Sequence, residues 1–224
     1  MSRLVRAVFF DVDQTLLDTP TTARLSLRAV FDEDVDIATW DAITEAQYEH
    51  FNSGAVEFPA MMTARMADFL ATRGEAHDLV SAEATEQVRN QRFIENTVVY
   101  HDVEACLRGL RRRGLKLGVI SNSSPEHQRR KLAAAGLADS FDAVVISGEL
   151  GVAKPDPAIF EHACAAIAVT PNEAMHVGDR LDTDALGATA AGMLGVWLDR
   201  QGIDAGERRV PVVSDLAALD GLLP

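Results

Sequence analysis

An apolar run near the N-terminus, Val8-Phe9-Phe10, ends abruptly in acidic residues and limits how this chain can fold more than any other feature. Such a run predicts a short buried strand, and Asp11, Asp13 and Thr15 follow directly at its end. Burying that strand brings the two carboxylates together, and like charges held close have their pKa values driven apart. One carboxylate could then stay ionised while the other holds a proton. The alternative is that both aspartates cap the turn after the strand.

From about residue 100 onward, short apolar segments alternate with helical patterns. The segments that predict strands are Leu115–Ile120, Ala143–Ile146, Ala174–Val177 and Gly195–Leu198, with Pro211–Val213 as a further edge. Helix starts between them are predicted by Ser124-Pro125, by Asp156-Pro157 and by a capping box of Thr170 with Glu173. This alternation predicts an α/β fold with a doubly wound, parallel sheet.

Residues 19–97 lack convincing strands and carry apolar residues at helical spacing, such as Met62, Met66 and Phe69. We therefore predict two domains, a catalytic core of residues 1–18 and 98–224 and an inserted all-helical domain of residues 19–97. Because the insert begins just after the first strand of the sheet, we expect it to lie as a lid over the carboxyl ends of the strands. A separate helical domain with no role in a site is the alternative.

Composition excludes several classes of protein. The formal net charge of −13 over 224 residues argues against a nucleic-acid partner, because such proteins concentrate positive charge. The only cysteines, Cys106 and Cys164, fall within apolar helical patterns, which favours reduced core residues over a disulfide or a metal pair. The apolar run is too short for a membrane span and lacks a cleavage site, so we expect a cytoplasmic protein with no membrane partner.

Three further polar clusters follow later predicted strands: Ser121-Asn122, Lys154-Pro155 and Gly178-Asp179 with Asp184. Carboxyl ends of parallel strands meet at one edge of a sheet, so these clusters should converge with Asp11 in one crevice. Taken alone, each cluster is more often part of a cap, a turn or a solvated loop than of a site. Their joint occurrence in this order favours a site.

In this order, the four motifs resemble those of the phosphohydrolases of the haloacid dehalogenase superfamily. Gly187-Ala188 and Ala191-Gly192 extend the resemblance past the fourth motif. It implies a Rossmann-like core, and the helical insert resembles the cap of the first subclass, of the phosphoglycolate phosphatase-like type.

The resemblance implies a role for each motif residue. Asp11 would be the nucleophile that becomes an aspartyl phosphate, and Asp13 the acid and base. Ser121, Asn122 and Lys154 would bind the transferring phosphoryl group, with Lys154 also neutralising Asp11.

The metal and its surroundings follow from the same resemblance. The carboxylates of Asp11 and Asp179 and the main-chain carbonyl of Asp13 are hard oxygen donors that suit Mg²⁺. Thr15 would support the first loop, and Asp184 would hold Lys154 or a metal-bound water.

Some positions stand apart from this pattern. Gln14 occupies a position where glycine is most often found, which could alter the first loop. Asp13 favours a phosphatase, because the dehalogenases that name the superfamily lack an acid/base aspartate there. His176 lies in a predicted strand and is expected in the core or beside the ligands, whereas Asp182 could equally cap a helix.

The expected substrate is a small phosphorylated metabolite. Candidate contacts in the insert are His50, Phe51, Phe58, Met62 and Arg65, with Arg65 expected to be exposed and most of the others part of the helical core. The alternatives are a phosphomutase of the same fold and a metabolite-binding module without catalysis. We expect a monomer or a homodimer.

Overall fold

The computed structural model describes residues 4–33, 35–75, 78–203 and 209–223. In chain order the elements are β1 (Ala7–Phe10), α1 (Thr19–Phe31), α2 (Ile37–Asn52), α3 (Phe58–Thr72), α4 (Leu79–Glu95), α5 (Val103–Arg112), β2 (Lys116–Ser121), α6 (Pro125–Ala134), β3 (Ala143–Ile146), α7 (Ser147–Leu150), α8 (Pro157–Ala166), β4 (Ala174–Gly178), α9 (Gly187–Ala190), β5 (Leu194–Leu198) and β6 (Val212–Val213). A π-helical turn spans Leu181–Leu186, and 3₁₀ turns span Pro171–Glu173 and Leu216–Leu222.

The chain divides into two compact units. The core unit comprises Met1–Asp18 and Val99–Pro224, and the helical unit comprises Thr19–Val98. The sequence analysis predicted that the helical insert ends at residue 97, one residue before the end of this unit.

The core unit contains a parallel sheet in the order β3-β2-β1-β4-β5-β6. The first strand of the chain lies near the middle, with Phe10 paired to Val119 of β2 and to Val177 of β4. This order doubles back on each side of β1, as in a doubly wound, Rossmann-like fold. The predicted fold class is confirmed.

Alternate residues of β1 pack on opposite faces of the sheet. Val8 and Phe10 join one apolar cluster with Leu107 of α5, whereas Phe9 joins another with Phe160 of α8. Both faces of a central parallel strand are buried, which explains why β1 is a continuous apolar run rather than an alternating one.

Local signals placed most of the core elements. The strands lie within a residue of their predicted bounds, and the predicted capping contacts form at Ser124, Asp156 and Thr170. Lys154 was expected to follow a strand directly, but the short helix α7 separates it from β3. Cys106 and Cys164 are free thiols on α5 and α8, as predicted.

The helical unit packs its four helices around its own apolar core. Leu27 of α1, Trp40 of α2, Phe69 of α3 and Phe93 of α4 are buried together, and Trp40 meets Phe69 edge to face with ring centroids 5.2 Å apart. Among the described residues, none of the helices is long and apolar enough to cross a membrane.

A buried ion cluster lies beside that apolar core. Arg65 of α3 and Arg89 of α4 both donate to Glu86, at 2.6 and 2.7 Å, and both guanidinium groups lie over the Trp40 ring. Arg65 is only 5% exposed, so the expectation of an exposed Arg65 was wrong. The apolar stripe of α3 is not interrupted there, because stacking on Trp40 and pairing with Glu86 allow the charge to be buried.

We expect Glu86→Gln to destabilise the protein by about 3–5 kcal/mol, because it leaves two buried guanidinium groups without their carboxylate. Glu83→Gln, an exposed position three residues earlier on α4, is the matched control and should change the free energy of unfolding by less than about 0.5 kcal/mol. Chemical denaturation of the two variants measures the difference. Equal stabilities would show that Glu86 does not neutralise the cluster.

Candidate active site

The candidate site lies at the carboxyl ends of the central strands. Asp11 follows β1 directly and extends its pairing, its main-chain N–H donating to the carbonyl of Val177 at 2.9 Å. Asp179 follows β4, and Ser121 is the last residue of β2. Parallel strands therefore bring three of the four motifs to one edge of the sheet.

The ammonium group of Lys154 joins these motifs. Its Nζ donates to Asp11 Oδ1 at 2.6 Å, to Asp184 Oδ1 at 2.6 Å and to the carbonyl oxygen of Ile120 at 3.0 Å. The side chain is 3% exposed. Three acceptors use all three protons of an ammonium group, so this buried charge is fully satisfied.

Asn122 fixes the main chain that carries Lys154. Its side-chain Nδ2 donates to the Lys154 carbonyl at 2.9 Å, and its Oδ1 accepts from the Lys154 N–H at 2.8 Å. The Lys154–Pro155 peptide bond is cis. This two-way bridge ties the loop after β2 to the loop that carries Lys154.

Asp184 is held on several sides. It accepts from the Arg180 N–H at 3.1 Å, and its Oδ1 lies 3.1 Å from His176 Nε2. A Cβ added at Gly178 would lie 2.6 Å from the Asp184 Cβ and closer still to its carboxyl carbon. Glycine at 178 therefore creates the space that the Asp184 carboxylate occupies.

The carboxylates of Asp11 and Asp179 have strongly raised pKa values. Burial is the main cause for Asp11, with the negative charges of Asp184 and Asp13 adding to it, and its pKa is about 7 despite Lys154. Burial and the charges of Asp11 and Asp184 raise the pKa of Asp179 to about 8. Both groups resist ionisation when no further cation is near.

The pKa values of Lys154 and Asp184 are shifted in the directions that keep both groups charged. Burial raises the pKa of Asp184, but the Lys154 charge and the His176 hydrogen bond outweigh burial and bring this pKa well below its usual range. Burial lowers the pKa of Lys154, but Asp11 and Asp184 together raise it above its usual value. Burial holds the pKa of His176 low, so Nε2 of a neutral ring donates to Asp184.

The donor set fits a hard divalent cation. One carboxylate oxygen from each of Asp11, Asp179 and Asp184 lies within 4.8 Å of the others. Two of these carboxylates, Asp11 and Asp184, pair with Lys154, so the three acidic groups outnumber the one ammonium group that contacts them. Oxygen donors with excess negative charge are what Mg²⁺ prefers.

Asp13 contacts two residues that the sequence analysis did not identify. Lys131 Nζ donates to Asp13 Oδ1, and Gln128 Nε2 donates to Oδ2 at 3.4 Å. Both residues lie on α6 and are buried, although Arg129 and Arg130 between them are exposed. The run Gln128–Lys131 looks like a solvated basic face, and only the three-residue spacing of its ends marks a shared side of the helix.

Arg200 is a third residue that the sequence analysis missed. It follows β5, pairs with both oxygens of Asp102 and donates through Nη2 to the Thr15 carbonyl at 3.1 Å. Its guanidinium lies 3.9 Å from the centroid of the Tyr100 ring. A single arginine after a strand carries no sequence signal for this role.

The remaining predicted positions differ in how they join the site. Thr15 is buried, its Oγ1 has no hydrogen-bond partner in the described part of the chain, and its main-chain carbonyl accepts from Arg200. Asp182 is exposed, with Arg180 Nε at 3.9 Å, and does not join the carboxylate group. Gln14 has φ +57°, the left-handed conformation that glycine adopts at little cost. Gln14 thus keeps the glycine-like turn.

Comparison with known proteins assigns the class. A model of haloacid dehalogenase-like hydrolases matches residues 5–192. An N-acylneuraminate-9-phosphatase of Mus musculus is 31% identical, over 94% of this chain and 86% of that protein. A glyceraldehyde 3-phosphate phosphatase of Methanopyrus kandleri is 34% identical, over 88% and 85%. A phosphoserine phosphatase of Thermus thermophilus is 49% identical, but over only 46% of this chain and 41% of that protein.

Solved structures show the same fold. The putative HAD-hydrolase YfnB of Bacillus subtilis, bound to magnesium, is 21% identical with a TM-score of 0.82, covering 98% of this chain and 99% of that one. A 2-haloacid dehalogenase of Pseudomonas syringae is 26% identical with a TM-score of 0.70, covering 98% of each chain. This chain belongs to the haloacid dehalogenase-like hydrolase family. The predicted family is confirmed, and the relatives named as phosphatases support the predicted enzyme class, a phosphoric monoester hydrolase.

Gly178→Ala should destabilise the protein by about 1–3 kcal/mol, because the new methyl group overlaps the pinned Asp184 side chain. Gly109→Ala, inside α5 with open space around the added Cβ, is the control and should stabilise slightly through helix propensity. Chemical denaturation of both variants tests this. A Gly178→Ala protein as stable as wild type would show that Asp184 can move without cost.

The raised pKa values of Asp11 and Asp179 predict a pH dependence of stability in metal-free protein. Between about pH 4, where these groups titrate in the unfolded chain, and about pH 8, the folded protein binds more protons, so stability falls as pH rises. We expect the melting temperature in EDTA to fall from pH 6.5 to 8.5, and the fall to be shallower in Asp179→Asn. The exposed Asp182→Asn should keep the wild-type slope. A slope unchanged by Asp179→Asn would contradict the assignment.

Proposed function

We propose that this chain is a Mg²⁺-dependent phosphatase that hydrolyses a small phosphate monoester through an aspartyl phosphate on Asp11. The observation that carries the proposal is the position of the Asp11 carboxylate at the end of β1, beside Lys154 Nζ at 2.6 Å and within a group of three acidic side chains. The relatives named as phosphatases support the same chemistry.

In the first half-reaction, a carboxylate oxygen of Asp11 attacks phosphorus, and the bond from phosphorus to the ester oxygen breaks. Asp13 gives its proton to that departing oxygen, so an alcohol leaves and Asp13 becomes a carboxylate. Lys154 donates to the other carboxylate oxygen of Asp11 and so orients the group for attack.

In the second half-reaction, the Asp13 carboxylate takes a proton from water, which attacks the phosphorus of the aspartyl phosphate. The bond from phosphorus to Asp11 breaks, releasing inorganic phosphate and restoring the Asp11 carboxylate. Asp13 is protonated again, ready for the next ester. One residue therefore serves as acid and then as base.

Several groups stabilise charge on the phosphoryl oxygens. We assign this role to the Ser121 hydroxyl, to the main-chain N–H of Asn122 and to the Lys154 ammonium. The Asn122 side chain already bridges to Lys154, so it positions the lysine rather than the phosphate.

The residues that would hold Mg²⁺ are Asp11 and Asp179 through their carboxylates and Asp13 through its main-chain carbonyl. When bound, the ion supplies positive charge to the phosphoryl oxygens and offsets the repulsion between Asp11 and Asp179. Asp184 already accepts from Lys154, His176 and Arg180, so we assign it to holding Lys154.

The substrate class follows from the relatives. Their names specify phosphoserine, N-acylneuraminate 9-phosphate and glyceraldehyde 3-phosphate, all small phosphorylated metabolites. We propose a substrate of this size. Asp13 favours a phosphatase over a haloacid dehalogenase, because protonating a leaving alcohol requires an acid at this position.

We expect wild-type protein to release inorganic phosphate from members of a panel of small phosphate esters with Mg²⁺, and not with EDTA. Asp11→Asn should abolish release, because an amide cannot form the aspartyl phosphate, whereas the exposed Asp182→Asn should retain it. A colorimetric phosphate assay measures both.

Two outcomes would contradict the proposal. Exchange of phosphate between esters with little net release would indicate a phosphomutase. Absence of turnover by a folded, Mg²⁺-loaded protein, with a raised melting temperature on adding an ester, would indicate a binding module.

A further inference from the structure

The side of α6 that faces the first loop carries polar groups. Lys131 Nζ donates to Asp13 Oδ1, and Gln128 Nε2 donates to Asp13 Oδ2 at 3.4 Å. The two residues are one helical turn apart, so one face of α6 presents both donors to a single carboxylate.

Burial shows that this contact is built into the core unit. The Lys131 side chain is 2% exposed and Gln128 is fully buried, whereas Asp13 is 34% exposed. A buried ammonium group requires a partner of opposite charge, and Asp13 supplies it. The helix itself is fixed by the Ser124 cap at its start and by Leu132, which is buried in the apolar core.

We propose that Lys131, assisted by Gln128, is the positioning residue for proton transfer by Asp13. Lys131 holds Oδ1 and Gln128 contacts Oδ2, so the two residues together fix the orientation of the carboxyl group that exchanges a proton with the departing ester oxygen. This inference rests on the proposed function, because it assigns to α6 the orientation of the acid that the phosphatase reaction needs. Lys131 acts on the reaction through Asp13 and is not assigned a contact with the phosphoryl group.

Leaving groups differ in how much they need that proton. An alkyl phosphate such as glycerol phosphate expels a poor leaving group and depends on a well-placed acid, whereas p-nitrophenyl phosphate expels a stable anion that leaves unprotonated. A misoriented Asp13 should therefore slow the alkyl ester and spare the aryl ester. Loss of general folding or of phosphate binding would slow both esters alike.

The test compares kcat/KM for the two esters with Mg²⁺ in wild type, Lys131→Met, Lys131→Gln and Lys131→Arg. The ratio kcat/KM reports steps up to departure of the leaving group, so the shared hydrolysis of the aspartyl phosphate does not mask the effect. We expect Lys131→Met to lower kcat/KM about 10²-fold for the alkyl ester and less than about threefold for the aryl ester. Lys131→Arg, which keeps the charge and the donors, should recover most of the alkyl activity.

The matched control is Arg129→Met, which removes a cation from the exposed face of the same helix and should leave both values unchanged. Asp13→Asn provides the reference pattern for loss of the acid. Lys131→Gln serves if Lys131→Met does not fold, as judged by thermal unfolding.

The outcomes separate this inference from the proposed function. Equal losses on both esters, or full alkyl activity in a folded Lys131→Met protein, would overturn the positioning role and leave the phosphatase standing. A wild-type protein that hydrolyses neither ester nor any member of the wider panel would overturn both. A selective alkyl loss that Lys131→Arg reverses supports the inference.

Discussion

The buried ammonium group of Lys154 is the interaction on which the candidate site depends. Its three acceptors come from the ends of β1 and β2 and from the turn after β4, so one side chain joins three separate parts of the sheet edge. A charge buried this deeply is costly to desolvate, and only complete pairing makes it tolerable. Asn122 and Gly178 serve the same end, since one fixes the main chain of Lys154 and the other makes room for its partner Asp184.

Around that cation the protein keeps more negative charge than the cation can balance. Asp184 stays ionised because Lys154, His176 and a main-chain amide stabilise it, whereas Asp11 and Asp179 repel each other in a buried position. Groups of one chemical type thus have different properties because their surroundings differ. Such repulsion costs stability and favours the binding of positive charge at the site, which is a common compromise between stability and activity.

The sequence predicted those parts that depend on local pattern. The apolar run before Asp11, the strand spacing and the capping residues indicated the sheet correctly, because buried parallel strands and helix caps have short-range signatures. Lys131 and Arg65 escaped prediction because their burial is decided by partners distant in sequence, Asp13 and Glu86. Lys131 follows two exposed arginines and therefore looks solvent-exposed, and nothing near Arg65 in the sequence indicates the carboxylate and the aromatic ring that surround it in the fold.

The point at which the chain leaves the core unit has a consequence for the evolution of the insert. Leu17 and Val99 form a bridge within the core unit, and within the helical unit Val98 donates to Thr22 at 3.1 Å. The two ends of each unit are therefore held together within that unit. For the pairing of β1 with β2, the insert then acts like a short connection, whatever its own length. The entropic cost of closing a loop rises only with the logarithm of the loop length, by about 0.6 kcal/mol for each doubling of a flexible loop. Inserts of different size can therefore be exchanged at this point with little effect on the stability of the sheet.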